Sequence, residues 1–284
     1  MRLEMLNFFQ VGQVGCRTIR RSCHRPKKAL PGHQEPGRRL SLCAEYVRRR
    51  CCQLGVFAVM AGSPGDSPYY QNTTSWSLWI AWRVRQKMFQ TFMDYFQPGP
   101  EIAILDVGVT SNDTYQESNY FEPLYPYPHR ITCVGTEDVS HVEARYAGLR
   151  YQRVEPSQAL PFDAGAFDIV FSSAVIEHVG DRVAQASFVR ELCRVGRGFC
   201  VTTPNRWFPM EHHSGLPLVH LLLVNVHRSL LRHTRYRYWT QEENLNMLSE
   251  AELAKLFPQG WPMTIKRIRI AGVCSNLVAK GKSA

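Results

Sequence analysis

The 284-residue chain predicts an α/β protein built on a doubly wound, mostly parallel sheet. Three observations carry that expectation. Apolar runs with little or no polar alternation occur at 102–107, 131–136 and 167–171, as in strands covered by helices on both faces. Segments of helical spacing accompany these runs, most clearly at 73–96 and 182–195. Each strand then runs into glycine, acidic or polar residues at its C-terminal end, where such sheets open a ligand crevice.

Taken in order, residues 73–96 read TTSWSLWIAWRVRQKMFQTFMDYF. Trp76, Trp79, Ile80, Arg83, Val84, Met88, Phe92 and Phe96 recur at helical spacing. Thr74 or Ser75 supplies the cap, and Pro98-Gly99-Pro100 the stop. This helix is expected to pack on the domain edge, with a lid over the crevice as the second reading. The first strand, 102–107, runs into Gly108. The second, 131–136, ends at Glu137-Asp138, and Asp138 or Ser140 can cap the helical HVEARYAG that follows. A third strand spans 150–154 and leads through Glu155 and Pro156 to Leu160. The fourth opens onto Ser172, Ser173, Glu177 and His178. A helix over 182–195 feeds a fifth strand, 198–203, and the loop PNRWFP. The last strands are expected at 264–270 and 273–279.

Residues 160–179 read LPFDAGAFDIVFSSAVIEHV, combining the turn Leu160-Pro161-Phe162, the strand Phe167-Asp168-Ile169-Val170-Phe171 and the exit Glu177-His178-Val179. This stretch resembles the fourth strand of class I S-adenosylmethionine (SAM) methyltransferases. TPNRWF at 203–208 resembles the loop after their fifth strand, which faces the methyl acceptor. Over roughly 75–280 the chain is most similar to the bacterial type 11 group. The resemblance implies a Rossmann-like, seven-stranded sheet ending in an antiparallel hairpin, with SAM as cofactor. It implies that Asp106 and Gly108 stand in the family's E/D-x-G-x-G-x-G loop, with Thr110 and Asn112 where later glycines would be. It implies that Glu137, beside Asp138, accepts the ribose hydroxyls. Glu155 substitutes for an adenine-contacting Asp whose place Pro156 occupies, and Leu160, Ser172 and Ser173 complete the cofactor set. Glu177 and His178 fall beside the acceptor. A histidine titrates near neutrality, so His178 is expected to serve as a base or to orient the acceptor. Methyl transfer from a sulfonium expels a neutral leaving group, so holding donor and acceptor in line can supply much of the rate. The alternative is a non-catalytic SAM-fold binding protein with a degenerate glycine loop.

Charge is distributed unevenly. Residues 1–60 hold 12 Lys and Arg against 3 acids, whereas the remaining 224 residues are near neutral, with 22 against 21. The two expected parts are therefore a basic, disordered leader over 1–60 and the methyltransferase domain over 61–284. Translation beginning at Met60 would account for the leader. A near-neutral domain disfavours nucleic acid and favours a small-molecule, sugar or lipid-linked acceptor. The stretch LPLVHLLLVNVHRSLLRHTRYRYW, apolar on one side and basic on the other, is expected to pack over the acceptor pocket, with a membrane-surface role second. Nine cysteines without a C-x-x-C pair point to free thiols and a cytoplasmic setting. Glu211-His212-His213 suggests a metal at first sight, but adjacent histidines diverge on most backbones, so no metal is assigned.

Overall fold

A computed structural model describes residues 75–283 apart from 113, 114, 116, 117, 157, 158, 212, 223 and 243. The leader lies outside these residues. Helix α1 (Ser75–Phe96) precedes β1 (Ile104–Val107), the short α2 (Phe121–Leu124), β2 (Ile131–Gly135), α3 (Ser140–Arg145) and β3 (Arg150–Arg153). Then come β4 (Ile169–Ser173), α4 (Arg182–Val195), β5 (Gly198–Pro204), α5 (Val224–Leu231), α6 (Glu250–Leu256), β6 (Met263–Ile270) and β7 (Val273–Lys282).

The strands form one seven-stranded sheet in the order β3-β2-β1-β4-β5-β7-β6. β3, β2, β1, β4 and β5 pair in parallel, and β7 runs antiparallel to both β5 and β6. This is the doubly wound, mostly parallel sheet with a terminal hairpin that the sequence predicts. The order reverses between β1 and β4, so their C-terminal ends part and leave a crevice there.

The central strands are buried on both faces, which explains their continuous apolar character: all four β1 residues and all seven β5 residues are buried. On one face Val189, Leu192, Phe199, Leu253 and Leu277 belong to a single apolar cluster. Elsewhere α1 buries Met88, Phe89, Phe92 and Phe96, and rings close around Phe171. Phe121 stacks on it at 4.2 Å between centroids and Phe92 meets it edge-on at 5.8 Å. α1 is thus a core helix from Val84 onward, while Trp76 and Trp79 at its start stay exposed. Helix α4 starts on Asp181, whose side chain accepts from the Ala184 N–H, and α6 starts on a capping box between Ser249 and Glu252.

Candidate active site

The cofactor end of the crevice begins at Gly108. Its φ is 101°, and a Cβ there would fall 2.1 Å from Val175 Cγ2, so glycine alone fits. Gly135 is equally constrained: a Cβ would sit 2.4 Å from the Val109 carbonyl oxygen, so its absence lets the loop after β1 lie against β2. Thr110 and Asn112 stand where glycines were expected, and side chains hold this loop instead. Asn119 accepts from the Thr110 N–H at 3.1 Å and donates to the Thr110 carbonyl at 2.8 Å. Glu137 Oε2 accepts from the Ser111 N–H at 2.8 Å, from the Ser111 hydroxyl, and from Thr110 Oγ1 at 3.4 Å. The Ser111 hydroxyl bond above all holds the Glu137 carboxyl below its ordinary pKa despite partial burial. Glu137 is therefore an anion at the end of β2, with Oε2 committed to the loop.

Other expected cofactor residues are occupied differently. The Leu160 N–H donates to Glu191 Oε1 at 2.7 Å and its carbonyl accepts from Arg194 at 3.0 Å, while its side chain joins the core. Ser172 is buried and donates its hydroxyl to the Val107 carbonyl at 3.0 Å, tying β4 to β1. Ser173 Oγ accepts from Thr202 Oγ1 at 2.8 Å. Asp138 accepts from the Ser140 N–H at 3.0 Å, a local turn bond rather than the expected cap, since Val139 holds the cap position of α3 without a side-chain bond. Asp106 is buried within the sheet, and burial together with the nearby Glu122 raises its pKa well above the usual range. Glu155 stays exposed beyond β3.

The other half of the site is built where β4 ends. Ala174 adopts a left-handed conformation with φ 56° while its N–H bonds to Thr202 O at 2.9 Å. The chain then turns sharply into a 3₁₀ turn, Ile176–His178. That turn sends Glu177 into the interior, where it is fully buried. Its Oε2 accepts from Thr203 Oγ1 at 2.9 Å, and its backbone carbonyl accepts from the Asn246 N–H at 2.7 Å. Oε1 has no hydrogen-bond partner among the described residues. Burial raises the Glu177 pKa, against a lowering effect of His213.

His178 Nδ1 lies 2.6 Å from the Asn244 carbonyl. A carbonyl only accepts, so Nδ1 carries the proton and Nε2 the lone pair. Burial, reinforced by His213, pushes the His178 pKa down to about 3. This environment favours the neutral imidazole, fixed with its proton on Nδ1.

The loop after β5 brings in His213, which the sequence reading set aside. Its ring meets His178 edge-on at 5.0 Å, and the Trp239 ring lies 4.7 Å from His213 and 6.2 Å from His178. Glu211 is buried beneath it, accepting from the His213 N–H and Nδ1, both at 2.7 Å, and from the Ser214 N–H at 2.5 Å. Burial pulls the Glu211 carboxyl up, but the bonds to His213 and Ser214 outweigh it and hold the group below the usual carboxylate range. Glu177, His178 and His213 each bring one potential ligand atom within 4.8 Å of the others. His212 lies outside the described residues. A separate cleft of about 610 Å³ opens beside Ala103, Thr132, Arg150 and Phe167, at the starts of the strands and away from this cluster.

Residues 114–198 match the family model of the methyltransferase domain. No curated protein matches the chain. Among solved structures, the Burkholderia thailandensis 1,6-didemethyltoxoflavin-N1-methyltransferase, with bound 1,6-didemethyltoxoflavin and S-adenosylhomocysteine, is 12% identical. That alignment covers 90% of this chain and 94% of that one, with a TM-score of 0.48. The Synechocystis magnesium protoporphyrin IX methyltransferase is 13% identical over 76% of this chain and 91% of that one, with a TM-score of 0.47. With the strand order 3-2-1-4-5-7-6, the match places a methyltransferase domain over residues 114–198 of this chain.

Proposed function

We propose that this chain transfers a methyl group to a small-molecule, sugar or lipid-linked acceptor seated against Glu177, His178 and His213. One observation carries the reading: two buried acids and two histidines gather where β4 and β5 end, at the crevice mouth. The cofactor end fits SAM. Glu137, held below its ordinary pKa at the end of β2, carries a carboxylate suited to a ribose diol, and the lack of side chains at Gly108 and Gly135 lets the β1 loop close against β2. When bound, SAM supplies a methyl group activated by its sulfonium. The protein's part is then placement. His178, held by Asn244, stands with His213 beside the place proposed for the acceptor, and Trp239 covers the two histidines.

The region 218–238 favours the lipid-linked class. Leu218, Leu222, Val226 and Leu230 are exposed, with Arg232, Arg235 and Arg237 lining an adjacent cleft. An apolar stripe with cations at its edge suits an acyl or prenyl chain that ends in phosphate. No helix among the described residues is long and apolar enough to cross a membrane. The four described cysteines are free thiols, which supports a reducing, cytoplasmic setting. The test is methyl-labelled SAM incubated with the full chain and fractionated sugars, small metabolites and polyprenyl-phosphate-linked sugars. Label should appear in a small or lipid-extractable product; label only in nucleic acid would overturn the reading.

A further inference from the structure

We propose that Glu177, His178 and His213 form a binding site for a divalent transition metal of the zinc class. Each offers one ligand atom, all within 4.8 Å of one another. Bonds of about 2.0–2.1 Å around a tetrahedral ion place ligand atoms roughly 3.3 Å apart, so modest side-chain rotation closes the set. The chemistry of the three groups agrees. Asn244 O holds the proton on Nδ1 of His178, and the Glu211 carboxylate does the same for His213, so both Nε2 atoms carry lone pairs. Histidines that bind metals are oriented in this way by a carbonyl or a carboxylate on the other nitrogen. Glu177 is fully buried, with Thr203 satisfying Oε2 and Oε1 lacking a partner among the described residues. A buried carboxylate oxygen beside two imidazole lone pairs calls for a positive centre. Two nitrogens and one oxygen leave coordination positions open, as in catalytic rather than structural sites.

The consequence rests on the acceptor reading above: an open position would take the acceptor's oxygen and lower its pKa. The ligands come from positions 177, 178 and 213, on two elements far apart in sequence.

The test uses the full chain, stripped by chelator and titrated with Co²⁺ and then Zn²⁺. One equivalent of Co²⁺ should produce visible ligand-field bands without thiolate charge transfer in the near ultraviolet, and Zn²⁺ should abolish them. His213→Ala and Glu177→Gln should each weaken Co²⁺ at least tenfold, and Glu211→Gln, acting through His213, by about 10 to 100-fold. Melting of the metal-free variants checks that they fold. Should they not, Trp239 provides a second readout: Co²⁺ should quench part of the tryptophan emission, and that part should vanish in Trp239→Phe while the visible bands remain. No stoichiometric binding, thiolate-dominated bands, or bands unchanged in His213→Ala would overturn the proposal. Metal bound without methyl transfer to any acceptor would overturn the functional reading and leave the site standing. Transfer by a protein that takes up no Co²⁺ would do the reverse.

Discussion

Two pairs of acids are buried in this domain; burial raises three of the four, and only Glu211 is held below the usual carboxylate range. Asp106 and Glu122 sit beneath the aromatic layer of α1 and α2, where Glu122 Oε1 receives only the Cys133 thiol, at 3.6 Å. Burial, and for Asp106 the neighbouring Glu122, raises both, bringing Glu122 to about 7. Glu177 and Glu211 are buried just as deeply beside Thr203, His178 and His213. Three N–H donors keep Glu211 ionised, whereas Glu177 has one hydroxyl and an unmatched oxygen. Burial by itself lifts a carboxyl and neutralises it. Glu177 is raised too, against His213, so what sets the crevice pair apart is the histidines and donors around it. One pair serves the core and the other the crevice.

The largest expected effect separates the two pairs directly. Glu177→Ala should lower methyl transfer by about a hundredfold or more, the range associated with losing a group at the reacting centre. Glu122→Gln should leave transfer within about twofold. Equal losses in both variants, measured as initial rates with folded protein, would erase the distinction. Next, Glu137→Ala should weaken SAM by roughly tenfold to a hundredfold, equivalent to about 1.5–3 kcal/mol of charge-assisted hydrogen bonding, with part of the loss arising from release of the Ser111 loop. Unchanged SAM affinity would reject that assignment.

The pH behaviour sharpens the same contrast. His178 stays neutral above about pH 3, so its removal should scale the turnover-pH profile down without moving an inflection between pH 5 and 8. An inflection near 6.5 that disappears in His178→Ala would show instead that it titrates in the working range. For Glu122, the folded pKa of about 7 lies above the ordinary 4.5. The folded state thus holds its proton more tightly, and this contribution to stability is full below about pH 4.5 and lost as pH rises through 7. Thermal melts of Glu122→Gln should show a gain of a few degrees over wild type at pH 8 and little at pH 4.5. A gain confined to low pH would reverse the sign. Smallest of all, deletion of residues 1–59 should leave melting temperature and SAM binding unchanged, because the strongly basic segment offers little to bury. A large drop would tie the leader to the domain.

Sheet and helices were legible because burial on two faces writes continuous apolar runs, as in Ile104–Val107, and because α4 carries its own cap at Asp181. The crevice end of β4 was legible through Glu177 and His178, whose place follows from the strand that delivers them. Their chemistry was not. The low pKa of His178 depends on burial against His213 and on the Asn244 carbonyl, 35 and 66 positions away along the chain. Leu160 and Ser172 show the same limit: the sequence pattern carries nothing of the partners their polar groups take, a distant Glu191 and the Val107 carbonyl. The tolerance for Thr110 and Asn112 likewise depends on Asn119 and Glu137, which pin a loop that glycines would have left supple.

Calorimetric titration of the full chain with SAM and with S-adenosylhomocysteine tests the central claim most directly. The account predicts one equivalent of each, bound with comparable affinity, and a parallel loss of both in Glu137→Ala. A folded chain that binds neither would contradict it.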